Sequence, residues 1–142
     1  MPYFKAGATL NPKYEKRFKD GEDSYMISKD CKTIMVADGV GGWGEMDVDS
    51  GLFSKFLTAQ VKKLLELSPG TNLKETLVQA VKDNPHGGST TAVIAKLEES
   101  SSTMKTINLG DSGYLILRQD EKGIIQKVFR SKEQTYEFDF PY

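Results

Sequence analysis

Four acidic residues stand at predicted strand ends or turns. Glu22 and Asp23 lie in "DGEDSY", Asp38 in "VADGVGGWG" and Asp111 in "NLGDSGY". Carboxylates combined with backbone carbonyls are oxygen donors for a hard divalent cation. The segment after Asp38 suits that chemistry, because five of the seven residues 38–44 are Asp or Gly. Glycine lets a backbone carbonyl approach a ligand closely. The same segment matches G-x-G-x-x-G through Gly39, Gly41 and Gly44, the pattern of a loop that cradles a dinucleotide. That reading requires a βαβ unit with an acid about twenty residues further on. Here that region carries a helical pattern with Glu66 as its one nearby acid, and Asp38 would repel a pyrophosphate. Taken singly, each acid also reads as a solvated turn residue, and Asp-Gly as an ordinary turn.

The elements that must position these acids are legible. "SYMIS" (24–28) and "TIMVA" (33–37) are β-prone and separated by the turn-like "KDCK". From Val48 to Leu67, Phe53, Phe56, Leu57, Val61, Leu64 and Leu65 recur at spacings of three and four, which predicts one helix face. Pro69 and Gly70 end it. Thr71 or Asn72 then caps a second helix bearing Leu73, Leu77, Ala80 and Val81. Four strand-like runs follow at 89–97, 104–109, 114–119 and 124–129, joined by "EESSST", "GDSG" and "DEKG". Such short connections predict antiparallel neighbours. The order predicts an α+β layered domain.

Composition sets the outer limits. The 142 residues predict a single domain, 1–142, with 38% hydrophobic and 27% charged residues and a net charge of -1. That balance lacks the basic excess of a nucleic-acid binder. No apolar run is long enough to span a bilayer. Cys31 is the one cysteine; it excludes an internal disulfide and fits a reducing compartment. Cytoplasm is the expected location. The mitochondrial matrix is the alternative, since "MPYFKAGATLNPKYEKRFK" is basic and poor in acids.

Four segments in series, "GEDSYMIS", "ADGVGGWG", "GGSTTAVIA" and "NLGDSGYLIL", resemble the motifs of the metal-dependent protein phosphatases, the PPM or type 2C family. "ADGVGGWG" is similar to the branch that contains mitochondrial-matrix and sporulation-type members. The resemblance implies a four-layer α-β-β-α sandwich of antiparallel sheets flanked by helices, of which this chain supplies the first half. It implies hydrolysis of phosphoserine and phosphothreonine in phosphoproteins by water activated between two Mg²⁺ or Mn²⁺ ions, with a third ion in some sites. By motif, Asp38 resembles the carboxylate bridging both metals, and Gly39 resembles the ligand that offers its carbonyl to one. Glu22 resembles a ligand of the other, directly or through water, Asp23 a partner that orients metal-bound water, and Asp111 the acid linked to a third, weaker ion site. No cysteine nucleophile is implied, and Cys31 reads as structural.

The sequence departs from the family pattern in three places. Many members carry a histidine after the Asp-Gly, where this chain has Val40; its one histidine, His86, sits in the "NPHGGST" turn. Many carry a phosphate-binding arginine before the Glu-Asp pair, at a register near Phe18. Arg17 and Lys19 are the neighbouring candidates, with solvated surface charge as the plain alternative. Two later metal-binding aspartates of the family have no counterpart; Asp139 lies in a context matching neither. Tyr136, Phe138, Phe140 and Tyr142 form an aromatic tail expected to pack against a partner chain or a C-terminal segment. Two functions therefore stay open: a Ser/Thr protein phosphatase, and a catalytically incomplete pseudophosphatase acting as a binding module.

Overall fold

A computed structural model describes residues 1–136 in full and the backbone of residues 137, 140 and 141. The side chains of Phe138, Asp139, Phe140 and Tyr142 lie outside the described residues, and the expected packing of the aromatic tail with them.

Strands β1 (Asp23–Ile27) and β2 (Thr33–Asp38) form a hairpin. Its turn is closed by Ser28, whose Oγ donates to Asp30 (2.6 Å) and accepts from Thr33 N (2.9 Å). Cys31 takes a left-handed φ of 55° in that turn, and Phe4 N donates to its carbonyl (2.7 Å). Helix α1 (Ser50–Leu67) begins where Asp49 accepts from Gly51 N at 2.9 Å. Helix α2 (Leu73–Asp83) begins where Asn72 accepts from Lys74 N at 2.9 Å. Strands β3 (Ala92–Leu97) and β4 (Met104–Leu109) complete one antiparallel sheet in the order β1-β2-β3-β4.

Side chains alternate across this sheet. Met26, Met35, Ala37, Ala92 and Ile94 face the helices and pack with Leu57, Val61, Leu65, Leu73, Leu77 and Ala80. The helix pattern is observed with two exceptions. Phe56 is half-buried and packs against His86 and not in this cluster. Val81 is 46% exposed, because the second face is centred on Leu73, Leu77 and Ala80.

The expected meander of antiparallel neighbours breaks after β4. Strand β5 (Leu115–Gln119) pairs with β6 (Ile125–Arg130), not with β4. The physical reason lies in the "GDSG" turn. Gly110 adopts φ 91°, and its backbone is taken up by Gln134, whose N donates to Gly110 O (2.8 Å) and whose Oε1 accepts from Gly110 N (3.2 Å). The chain is steered out of the first sheet and across its other face. There Tyr114 OH and Thr106 Oγ1 share a hydrogen bond of 2.8 Å. Tyr25, Val36 and Val93 line one side of an apolar groove of about 470 Å³, and Leu115 and Leu117 the other. Among the described residues the layers are helix, sheet and the start of a second sheet. A short β7 (Thr135–Glu137) pairs with β8 (Phe140–Pro141). No described helix is long and apolar enough to cross a membrane.

Candidate functional site

The β1–β2 register sets Asp23 opposite Asp38. Both fall at the end of the sheet nearest α1, and the neighbouring backbone is tightly sewn. Glu22 O accepts from Gly39 N (3.1 Å) and from Ser54 Oγ of α1 (2.5 Å). Gly39 has no room for a side chain. A Cβ there would lie 2.6 Å from Glu22 O and 2.8 Å from Ser50 O. Val40 is also held, its N donating to Ser89 O (3.0 Å) and its O accepting from Ser50 Oγ (2.8 Å). Trp43 Nε1 donates to Ser89 Oγ at 2.8 Å, which ties the glycine loop to the segment entering β3.

Thr91 fastens the third acid in place. It is 2% exposed. Its N donates to Asp38 O (2.9 Å), and its Oγ1 accepts from Asp38 N (3.1 Å). The same Oγ1 hydrogen-bonds Ser112 Oγ at 2.6 Å, so the turn bearing Asp111 lies beside Asp38. Glu22, Asp23, Asp38, Gly39 and Asp111 thus open on one cavity of about 680 Å³. The "GGSTTAVIA" motif contains Thr91, but the motif by itself does not mark the part this residue plays. A hydroxyl one residue ahead of an apolar strand was the available signal.

The electrostatics follow from this crowding. Asp38 is pushed up to about 7 by partial burial of its carboxyl, then by the hydrogen bond and charge of Asp23, then by the charges of Asp111 and Glu22. A group of carboxylates that raises its own proton affinity is one in which a cation is favoured. The donors are all oxygen, which suits Mg²⁺ or Mn²⁺ and not zinc. Among the described residues no three Asp, Glu, His or Cys side chains converge closely enough to hold a metal as they stand.

Glu22 is drawn away from the other acids. It is 8% exposed and paired with Lys16 and, at 3.3 Å, with Lys19. Lys19 also meets Asp49 at 2.8 Å, and Lys55 Nζ donates to Lys19 O at 2.7 Å. Hydrogen bonding to Asp49 raises the Lys19 ammonium despite partial burial, with a further contribution from Glu22. Burial raises the Asp49 carboxyl. The hydrogen bonds from Lys19 and Gly51 and the Lys19 and Lys55 charges outweigh that and hold it below the usual range.

The two expected phosphate binders are placed elsewhere. Arg17 lies over the Tyr14 ring at 5.3 Å from its centroid, and Lys19 spans Glu22 and Asp49. Neither lines the acidic cavity, whereas Lys13 and Lys16 do. The reason is local. Residues Tyr14–Lys19 form a 3-10 turn, whose threefold repeat sends Lys16, not Arg17, inward. His86 packs edge-on against Phe56 (5.8 Å) and does not line the cavity.

Protein phosphatases are among the proteins this chain resembles. It is 39% identical over 131 residues to "Protein phosphatase PTC7 homolog fig" of Drosophila grimshawi, a match covering 86% of the chain and 41% of that protein. It is 36% identical over 140 residues to "Probable protein phosphatase 2C 80" of Arabidopsis thaliana, covering 96% of the chain and 32% of that protein. In three dimensions it superposes on the X-ray structure of the photosystem II phosphatase PBCP with a TM-score of 0.80 and 33% identity, over 94% of the chain and 51% of that one. The chain therefore spans well under half the length of these curated relatives. No protein-family model matches it.

Proposed function

We propose that this chain, which belongs to the PPM (type 2C) protein phosphatase family, forms part of a metal-dependent phosphatase acting on phosphoserine and phosphothreonine in proteins. Residues 1–142 make one unit of that fold. The observation that supports the reading is the meeting of Asp23, Asp38, Asp111 and the Gly39 backbone at one cavity mouth. Three separate turns contribute these groups, and Thr91 and Ser54 hold them by hydrogen bonds.

Asp38 and the Gly39 carbonyl would hold the metal ions, with Glu22 and, more weakly, Asp111 as further ligands. When bound, Mg²⁺ or Mn²⁺ supplies the positive charge that polarises a phosphoester and acidifies water. The chain's own residues do the rest. Asp23 stands opposite Asp38 in the β1–β2 pairing and so would flank the carboxylate that holds the metal. Thr91 fixes the Asp38 backbone from both sides. Val40, in place of a histidine, leaves no imidazole at the cavity for protonating the departing alkoxide.

A second reading, a phosphoprotein-binding module without catalysis, is favoured by the lack of three converging metal-ligating side chains among the described residues. A Mn²⁺-dependent phosphatase assay on a phosphothreonine peptide separates the two. Activity abolished by Asp38→Asn is expected for the enzyme. Peptide binding without turnover, unaffected by Asp38→Asn, would establish the module.

A further inference from the structure

Glu22 Oε2, the carboxylate oxygen next to the glycine loop, is held by Lys16. We propose that Lys16 competes with a divalent cation for the Glu22 carboxylate, and so sets how tightly this site takes metal. This rests on the metal-dependent reading above.

Glu22 is 8% exposed, and a carboxylate so far out of water requires a counter-charge. Two lysines reach it, but they are not equivalent. Lys19 lies at 3.3 Å and is held more closely by Asp49 at 2.8 Å. That carboxylate also caps α1, so Lys19 belongs to the framework. Among the described residues Lys16 pairs with Glu22 Oε2 and with no other carboxylate.

Lys16 is also free to leave. Its backbone is pinned, with its N donating to Lys13 O (2.9 Å) and its O accepting from Gly21 N (3.0 Å). Its side chain keeps 25% exposure and lines the same cavity as Asp38 and Asp111. A lysine ammonium on a flexible stem moves into water without disturbing the backbone. The glycine loop accommodates the pair. A Cβ on Gly41 would come within 3.0 Å of Lys16 Nζ and 3.1 Å of Glu22 Oε2. Gly41 therefore has a use distinct from that of Gly39: it leaves space over the ion pair.

A cation arriving at Asp38 gains Glu22 Oε2 only by displacing Lys16 from it. Removing the ammonium should tighten metal binding, where loss of a merely structural lysine would loosen it or leave it unchanged.

The test is a Mn²⁺ titration, followed by the paramagnetic resonance of free Mn²⁺ and by calorimetry, on the wild-type chain and on Lys16→Met, Lys16→Arg, Lys13→Met and Asp38→Asn. Lys16→Met should bind Mn²⁺ roughly three- to tenfold more tightly, as expected for release from one partly buried ion pair. Lys16→Arg should stay near wild type. Lys13→Met removes the same charge from the cavity without touching Glu22, and should change affinity less than about twofold. Circular dichroism checks folding, and Lys16→Gln replaces Lys16→Met should the latter not fold. Equal or weaker binding by Lys16→Met, or equal tightening by Lys13→Met, overturns the competition. If wild type binds Mn²⁺ and Asp38→Asn does not, that failure leaves the metal-dependent reading standing. No Mn²⁺ binding by any of the proteins overturns both.

Discussion

The two ends of this chain's β structure are built on different terms. The first sheet is backed by two helices, and its residues Met35, Ala37, Ala92 and Ile94 are each 2% exposed or less. The β5–β6 pair has no such backing among the described residues. Leu115, Leu117 and Val128 stay 52%, 53% and 51% exposed, and the groove between them and the first sheet is open. The candidate site sits wholly on the well-packed side. Its acids hang from β1, β2 and the turn after β4, and α1 contributes Ser50 and Ser54 to the backbone beneath them. Chemistry that needs fixed carboxylates is placed where the backbone cannot shift, and the adaptable surface is kept apart from it.

Core truncation should expose this contrast most strongly. Leu57→Ala, at a side chain 1% exposed, should cost about 3 kcal/mol in urea unfolding, whereas Leu117→Ala should cost less than about 1 kcal/mol. Equal losses would mean that β5–β6 is as firmly packed as the helix-backed sheet. The next effect is at the site's floor. Gly39→Ala forces a Cβ against two backbone oxygens and should cost about 2 kcal/mol. Gly42→Ala, with nothing within 4 Å of the added carbon, should be close to neutral.

The smallest effect reverses sign. Asp38 is raised from its ordinary 3.8 to about 7, so between those values the folded chain holds a proton that the unfolded chain gives up. Folding is favoured on the acid side of that window, and the advantage is lost as pH rises through it. With a chelator present, the wild-type chain should melt higher at pH 5.5 than at pH 7.5. Asp38→Asn should remove that difference and raise the pH 7.5 melting temperature by about 2–5 °C. On the metal-dependent reading proposed above, it should also abolish the stabilisation expected from Mn²⁺. A lower melting temperature for Asp38→Asn under chelation would show that the acids do not repel as their placement indicates.

The helices were legible from their period and breakers: Thr71 or Asn72 offers the start of the second, and "SPG" ends the first. The pattern does not mark Asp49, which caps the first at Ser50 and not Val48. The hairpin that sets Asp23 against Asp38 was legible from two β-prone runs around a short polar turn. The exit from the first sheet was not. Turn length predicts that neighbours can pair, but Gln134, more than twenty residues downstream, decides that β4 and β5 do not. The cavity-lining lysine was not legible for a related reason. Arg17 and Lys19 flank the register of the family's arginine, and Lys19 does meet Glu22, but it is Lys16, one turn of the 3-10 segment earlier, that lines the cavity. Local type and spacing identified which residues carry charge. Which charge faces which was set by backbone bonds made across the fold.

The β1–β2 register has a consequence for how this protein tolerates change. The alignment that puts Asp23 opposite Asp38 also puts Met26 opposite Met35, three residues along and on the buried face. A slip of β1 by one residue would carry Met26 to the wrong face and move Asp23 away from Asp38 in the same movement. Insertions that lengthen the Ser28–Lys32 turn can therefore accumulate harmlessly only if they leave this pairing untouched. Any lineage that keeps the core of this hairpin intact keeps positions 23 and 38 opposite one another.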